Sequence, residues 1–288
     1  MEVEDSQQNH DDEHAQLLLL SADGTEFKVN TVILTTASRF FREMLEMPRD
    51  PAEAGKPVEL AEKRDVIAGL LDIIHADERP MPNLSNFDFV WRLLKAADKY
   101  DMPRVPALIR PQVMFKARRG LVEQYALASE YNWAEERRWA AVQLLGMDLQ
   151  SIMTSKGFRR LSTDHMAKLL SHRAERKRLL AREVELHLTH EHEWEAPHDD
   201  PEPEDTIRTD LSASWRLVVG YVLSELDKRP RGDNIGTWLI WDDNKFPAMW
   251  DEKCEICGKR FSTPVQLLVK LQRKSAAVDA DDKKNTSL

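Results

Sequence analysis

The stretch that most constrains the fold is residues 17–45, where a hairpin pattern runs directly into two short helix patterns. Four leucines, Leu17–Leu20, lead into a turn that ends in Asp23-Gly24, and an Asp-Gly pair is a strong signal for a tight hairpin turn. Residues 25–29 then alternate polar with apolar side chains, as a strand with one buried face does. The pattern predicts two antiparallel strands.

Two helix-capping residues follow these strands. Asn30 precedes a short apolar run, and Ser38 precedes a second run that contains Phe40 and Phe41. Asn and Ser side chains accept hydrogen bonds from the first amides of a helix, so each of the two can begin one. We expect at least one of the two phenylalanines to be buried in the core.

Residues 57–114 predict a short strand followed by helices. The strand pattern covers residues 57–60, and apolar residues at helical spacing then predict a helix that ends near His75. Asn86 can begin the next helix, which ends at residues 99–101, and Met102-Pro103 starts a further one.

The order of these elements over residues 14–114 resembles the BTB/POZ domain. The resemblance rests on the hairpin with its Asp-Gly turn, on the helix start Ser38-Arg39-Phe40-Phe41 and on residues 96–103, which are similar to a helix junction of that family. Asn30 stands where many members carry histidine. The resemblance implies an α+β fold in which helices cover a small sheet. It also implies a module that binds other proteins, performs no catalysis and forms dimers through the region around residues 32–41.

Helical patterns continue after residue 114, so we expect an all-α region at residues 115–195. Residues 121–129 carry an apolar stripe, and Ser162 can begin a long helix that runs to about His190. The segment 125–131 is similar to the helical extension of many fungal BTB proteins. A helix pair in this place also occurs in adaptors of cullin-type ubiquitin ligases.

The remaining segments are set apart by their composition. Residues 1–13 contain six acids and no Lys or Arg, which predicts a disordered tail. The later segments are an acidic, proline-containing linker at 196–206, a helix with a Trp-rich CxxC segment at 207–273 and a disordered tail at 274–288.

The charge balance argues against nucleic acid and anionic membranes as partners, because the formal net charge is -9. The basic run at residues 173–182 is diluted by acids such as Glu175, so we expect a solvated helix face with charge pairs. No apolar run reaches the ~20 residues that span a bilayer, and nothing at the start resembles a signal peptide. These features predict a soluble intracellular protein of the cytoplasm or nucleus.

The sharpest local motif is the cysteine pair Cys254 and Cys257, which resembles the first half of a Cys2His2 zinc finger. The two histidine positions of that motif hold Lys270 and Lys274. A protonated lysine has no lone pair to give to a metal, so this segment is not a DNA-reading zinc finger.

Three interpretations of the cysteine pair stay open. In the preferred one, Cys254 and Cys257 are reduced thiols in a turn and bind no metal. In the second, they hold zinc together with distant histidines from His187, His190, His192 or His198. Of these, His187 and His190 lie three residues apart and so share one helix face. In the third they form a redox pair, although no thioredoxin-like context precedes them. No other cofactor is expected.

The sequence therefore predicts a non-catalytic protein–protein interaction module that acts as a scaffold or self-associating adaptor. No nucleophile elbow, Gly-rich phosphate loop or kinase signature indicates an enzyme. Two alternatives stay open, namely a substrate adaptor of a cullin-type ubiquitin ligase and a transcription-associated regulator. The expected partners are proteins, among them a second copy of the chain or a cullin scaffold.

Overall fold

The computed structural model describes residues 17–48, 55–75, 79–116, 120–194 and 213–235, together with Arg273. The chain divides into two compact units, the first ending at Arg119 and the second beginning at Gly120. Within the described ranges, none of the helices is both long enough and apolar enough to cross a membrane.

Several predicted segments lie outside the described residues. They are the acidic segment 1–13, the linker 196–206, the Trp-rich CxxC part of 207–273 and the tail 274–288. The expectations for these segments stay predictions.

The N-terminal unit combines a small sheet with helices. Its strands are β1 (Leu17–Leu20), β2 (Glu26–Val29) and β3 (Val58–Glu59), and its helices are α1 (Thr31–Ala37), α2 (Arg39–Glu46), α3 (Arg64–Ile74), α4 (Phe87–Lys99) and α5 (Arg104–Lys116). The sheet order is β2-β1-β3, with β1 antiparallel to β2 and parallel to β3. The α+β prediction for this part of the chain is confirmed.

The hairpin forms where the Asp-Gly pair predicts it. Gly24 has φ +82°, a left-handed conformation that a residue without Cβ adopts at no steric cost. In the paired strands Leu19 lies opposite Phe27, and both side chains are buried. The alternation read from the sequence thus points one face of the sheet into the core.

The predicted capping residues begin their helices. The Asn30 side chain accepts a hydrogen bond from the Val32 amide at 2.9 Å, at the start of α1. Asn86 accepts from the Asp88 amide at 2.9 Å, at the start of α4. Each cap satisfies an amide that has no partner inside its helix, which is why these helices begin at these residues.

Residues 96–103, which are similar to a BTB/POZ helix junction, form the connection between α4 and α5. Tyr100 and Met102 are buried, while Asp101 between them has φ 45° and turns the chain. Aspartate is among the few residues besides glycine that tolerate this left-handed conformation. The segment therefore places two core side chains on either side of a sharp turn.

The C-terminal unit is helical in its described residues, as expected. Its elements are α6 (Leu121–Glu130), α7 (Ala134–Leu144), α8 (Leu149–Thr154), a 3-10 turn (Phe158–Arg160), α9 (Thr163–Trp194) and α10 (Ala213–Lys228). α6 packs on α7, and α9 packs on α10. The side chain of Ser162 accepts a hydrogen bond from the His165 amide at 3.3 Å at the start of α9, as predicted, and the helix continues past His190 to Trp194.

The expectation that the basic run at residues 173–182 is a solvated face is wrong for two of its members. Arg173 and Arg176 are buried on α9, with exposed fractions of 5% and 1%. Arg173 donates hydrogen bonds to the carbonyl oxygens of Leu144 at 2.5 Å and Met147 at 2.9 Å, at the end of α7. The buried guanidinium thus adds a donor to the carbonyls that follow α7, where the Leu144 carbonyl also accepts the Met147 amide at 3.1 Å. Charge spacing alone did not reveal this role.

Candidate interaction surface

The junction between α1 and α2 is fixed to the end of α4 by one buried side chain. Ser38 is 0% exposed. Its hydroxyl accepts a hydrogen bond from the Phe41 amide at 3.1 Å and donates one to the Tyr100 carbonyl at 2.5 Å. Ser38 thus begins α2, as the sequence predicts, and also ties that helix start to a residue far along the chain.

An aromatic cluster lies directly behind this junction. The Phe41 and Tyr100 rings are stacked with centroids 5.2 Å apart, and the Phe40 ring lies 5.2 Å from that of Phe41 in an edge-to-face arrangement. Phe41 is 1% exposed, whereas Phe40 is 42% exposed. The expectation that at least one phenylalanine is buried is confirmed.

Large apolar side chains remain in contact with solvent on these two helices. Val32 is 69% exposed and Met47, which directly follows α2, is 60% exposed. With Phe40 they define what we call the α1–α2 surface. A single exposed apolar residue is ordinary, whereas a contiguous apolar patch marks a site of protein contact, so these residues on adjoining elements are a candidate contact site.

A second notable feature of this unit is the polar cluster at Tyr100, which joins α4 to the segment before α3. The Tyr100 hydroxyl donates a hydrogen bond to Glu62, and the Lys99 ammonium lies 2.9 Å from the same carboxylate. Burial raises the pKa of Glu62, but the hydrogen bonds from Tyr100 and Lys99 outweigh it and hold that pKa below its ordinary value. Burial, followed by the contact with Glu62, raises the pKa of Tyr100 well above its ordinary value.

The predicted metal ligands are not brought together by any described contact. His187 and His190 belong to α9, but their side chains are outside the described part of the structure, as are Cys254 and Cys257. Among the described residues, no group of three or more His, Cys, Asp or Glu side chains is placed to hold a metal ion. The zinc interpretation therefore stays a prediction.

Sequence reasoning missed a charged groove that the fold assembles from α3 and α4. Lys63 and Arg64 lie at the start of α3, and Arg92 and Lys95 lie on α4. The residues are almost thirty positions apart in sequence, and each taken alone is an ordinary surface cation. The groove exists only because α3 packs on α4, and the order of charges along the chain does not predict it.

Comparisons with known proteins agree with this architecture. Residues 5–111 match the family model described as BTB/POZ domain. A curated relative from Xenopus laevis, named Inhibitor of Bruton tyrosine kinase, is 26% identical over 156 residues, which is 52% of this chain and 11% of that protein. The chain thus spans only a small part of the length of that relative. Residues 5–111 are a BTB/POZ domain, which is a non-enzymatic module for protein–protein interaction.

Proposed function

We propose that this protein is a self-associating scaffold that acts inside the cell and pairs with a second copy of itself through the α1–α2 surface. The observation that carries the proposal is the exposure of Val32, Phe40 and Met47 on adjoining elements. Dimerisation is a common property of BTB/POZ domains, so the domain match supports a second copy as the occupant of this surface.

The chemistry of the surface fits such contacts. Burial of apolar area contributes about 25 cal/mol per Å², and a Val or Phe that loses its solvent contact is stabilised accordingly. Aromatic residues and Met are enriched at protein interfaces, whereas lysine and acids are depleted from their centres. Phe40 and Met47 are residues of the enriched kinds, and α1 contains no charged residue.

The test is the mass of the full chain in solution, measured by light scattering after size exclusion over a range of concentrations. We expect a dimer for the unaltered chain and a monomer for Val32→Lys, because a lysine ammonium at the centre of an apolar interface loses its hydration without a partner. Leu217→Lys is a matched control, since Leu217 on α10 is 67% exposed against 69% for Val32. The control is expected to stay dimeric.

Two results would contradict the proposal. One is an unaltered chain that stays monomeric up to about 100 μM, since specific protein pairs typically associate with higher affinity than that. The other is a dimer that Val32→Lys leaves intact, which would move the contact to another surface. Circular dichroism of each variant shows whether the fold is retained, so that loss of folding is not read as loss of pairing.

A second candidate function is that of a substrate adaptor for a cullin-type ubiquitin ligase. The observation that favours it is the packed pair α6 and α7, which directly follows the BTB/POZ unit in sequence, as a helix pair does in such adaptors. Titration of the full chain with the N-terminal region of the BTB-recruiting cullin tests it. Micromolar or tighter binding supports the adaptor function, and a folded chain that does not bind refutes it.

A further inference from the structure

A groove of about 850 Å³ lies in the N-terminal unit, on elements other than α1 and α2. One wall is the start of α3 with the turn of the β1–β2 hairpin, and the other is the exposed side of α4. Five cationic and three anionic side chains line it, which leaves a surplus of two positive charges on a chain whose net charge is -9.

The three carboxylates of the groove are already engaged within the unit. Asp65 receives two hydrogen bonds from the Arg92 guanidinium, at 3.0 and 2.7 Å. Glu62 is bound by Lys99 and by the Tyr100 hydroxyl. The third carboxylate, that of Asp23 at the hairpin turn, accepts a hydrogen bond from the Arg64 backbone amide at 3.0 Å and so caps the start of α3. A ligand entering the groove therefore meets carboxylates whose charge is largely compensated.

Two of the cations that line the groove, Lys63 and Arg64, are not held in this way. Lys63 is exposed and Arg64 is half-buried. Within the described part of the chain, neither side chain lies within ion-pair distance of a carboxylate, although the Lys63 charge does interact with the Asp23 carboxylate at the hairpin turn. Opposite them on α4, Trp91 is half-buried and lines the groove. The groove thus offers positive charge together with an aromatic side chain.

We propose that this groove binds an acidic peptide segment of a partner protein. Carboxylates of the segment would pair with the two cations, and an apolar side chain of the segment would pack on Trp91. The positive charges are spread along two helices, which suits several carboxylates in a row. A compact phosphate fits less well, because a carboxylate of the chain itself already takes the first free amide of α3, the group that such an anion would use. Nucleic acid is disfavoured by the net charge of the chain.

The test uses the full chain and a fluorescein-labelled peptide of alternating Glu and Ala with one central Leu, with binding read by fluorescence anisotropy. We expect the double variant Lys63→Glu/Arg64→Glu to weaken binding by about tenfold or more, because two attractive contacts become repulsive. New carboxylates at the first turn of α3 agree with the helix dipole, so the fold should be retained. The matched control Arg104→Glu/Arg138→Glu makes the same change of charge at two exposed residues outside the groove, and should bind as the unaltered chain does.

Further measurements distinguish an acidic peptide from other ligands of the groove. A peptide with Gln in place of each Glu should not bind, and binding of the Glu peptide should weaken as salt is raised. Displacement of the peptide by low millimolar inorganic phosphate would indicate a compact anion site and overturn the proposal. Equal binding by both double variants would do the same, and so would no binding by the unaltered chain. Peptide binding does not depend on pairing through the α1–α2 surface. A negative result here is therefore distinguishable from a failure of the proposed function.

Discussion

Replacement of Ser38 by alanine should destabilise the N-terminal unit far more than the loss of one hydroxyl suggests. The substitution removes the cap of α2, which costs about 1 kcal/mol. It also leaves the Tyr100 carbonyl, now bonded at 2.5 Å, without that donor in a buried position, which costs about 1–3 kcal/mol. We therefore expect the free energy of unfolding to fall by about 2–4 kcal/mol, a large part of the ~5–15 kcal/mol typical of a domain.

Asn30→Ala is the matched comparison for this prediction. Asn30 caps the preceding helix, α1, through one hydrogen bond, to the Val32 amide, and that bond is exposed to solvent. Its loss should cost about 1 kcal/mol. The assay is urea unfolding read by hydrogen exchange and mass spectrometry on peptides of the N-terminal unit, so that the C-terminal unit does not enter the value. If Ser38→Ala costs no more than Asn30→Ala, the bond from Ser38 to α4 contributes nothing and the reasoning is refuted.

Two further predictions concern charged side chains that are held by hydrogen bonds. Arg173→Met should lower the free energy of unfolding of the C-terminal unit by about 1–3 kcal/mol, because the Met147 carbonyl loses the Arg173 donor while the Leu144 carbonyl keeps only its bond from the Met147 amide. Arg178→Met breaks only an exposed pair with Glu175 and should cost less than about 1 kcal/mol by urea unfolding. The pKa of Glu62 is lower in the folded state, so its stabilisation is complete above the unfolded pKa of ~4.3 and is lost as the pH falls through the folded value. The difference in melting temperature between the unaltered chain and Glu62→Gln should therefore be largest near neutral pH and should shrink toward pH 3, and a difference that does not change with pH would contradict this assignment.

The elements of the N-terminal unit follow from local rules, which is why the sequence predicts them well. Gly24, Asn30 and Asn86 each act on a neighbour no more than a few residues away, through a turn or a cap. Such contacts involve only residues that are close in sequence. The resemblance to the BTB/POZ domain also predicts how these elements pack, since their order is typical of that domain.

The features that sequence reasoning missed all depend on contacts between distant residues. The periodicity of α9 places Arg173 and Arg176 on one stripe with Leu169 and Leu180, and that stripe is the buried one. A long basic residue is by default assigned to solvent, and only the position of the carbonyls at the end of α7 reverses that assignment. The groove between α3 and α4 is of the same kind, because its cations become neighbours only when the two helices pack.

The exposed apolar residues of the α1–α2 surface are better explained as an interface than as an incomplete core. Beneath them, Ser38 and Phe41 are almost completely buried and hold the junction by hydrogen bonds and ring stacking. A loosely packed region would leave these inner residues partly solvated as well. Because the junction is already fixed, Phe40 and Val32 are presented on an ordered backbone, and a partner that covers them pays less conformational entropy on binding. If this surface is the proposed pairing site, substitutions beneath it, such as Ser38→Ala, should raise the concentration at which the chain pairs in light scattering, without altering any residue of the proposed contact.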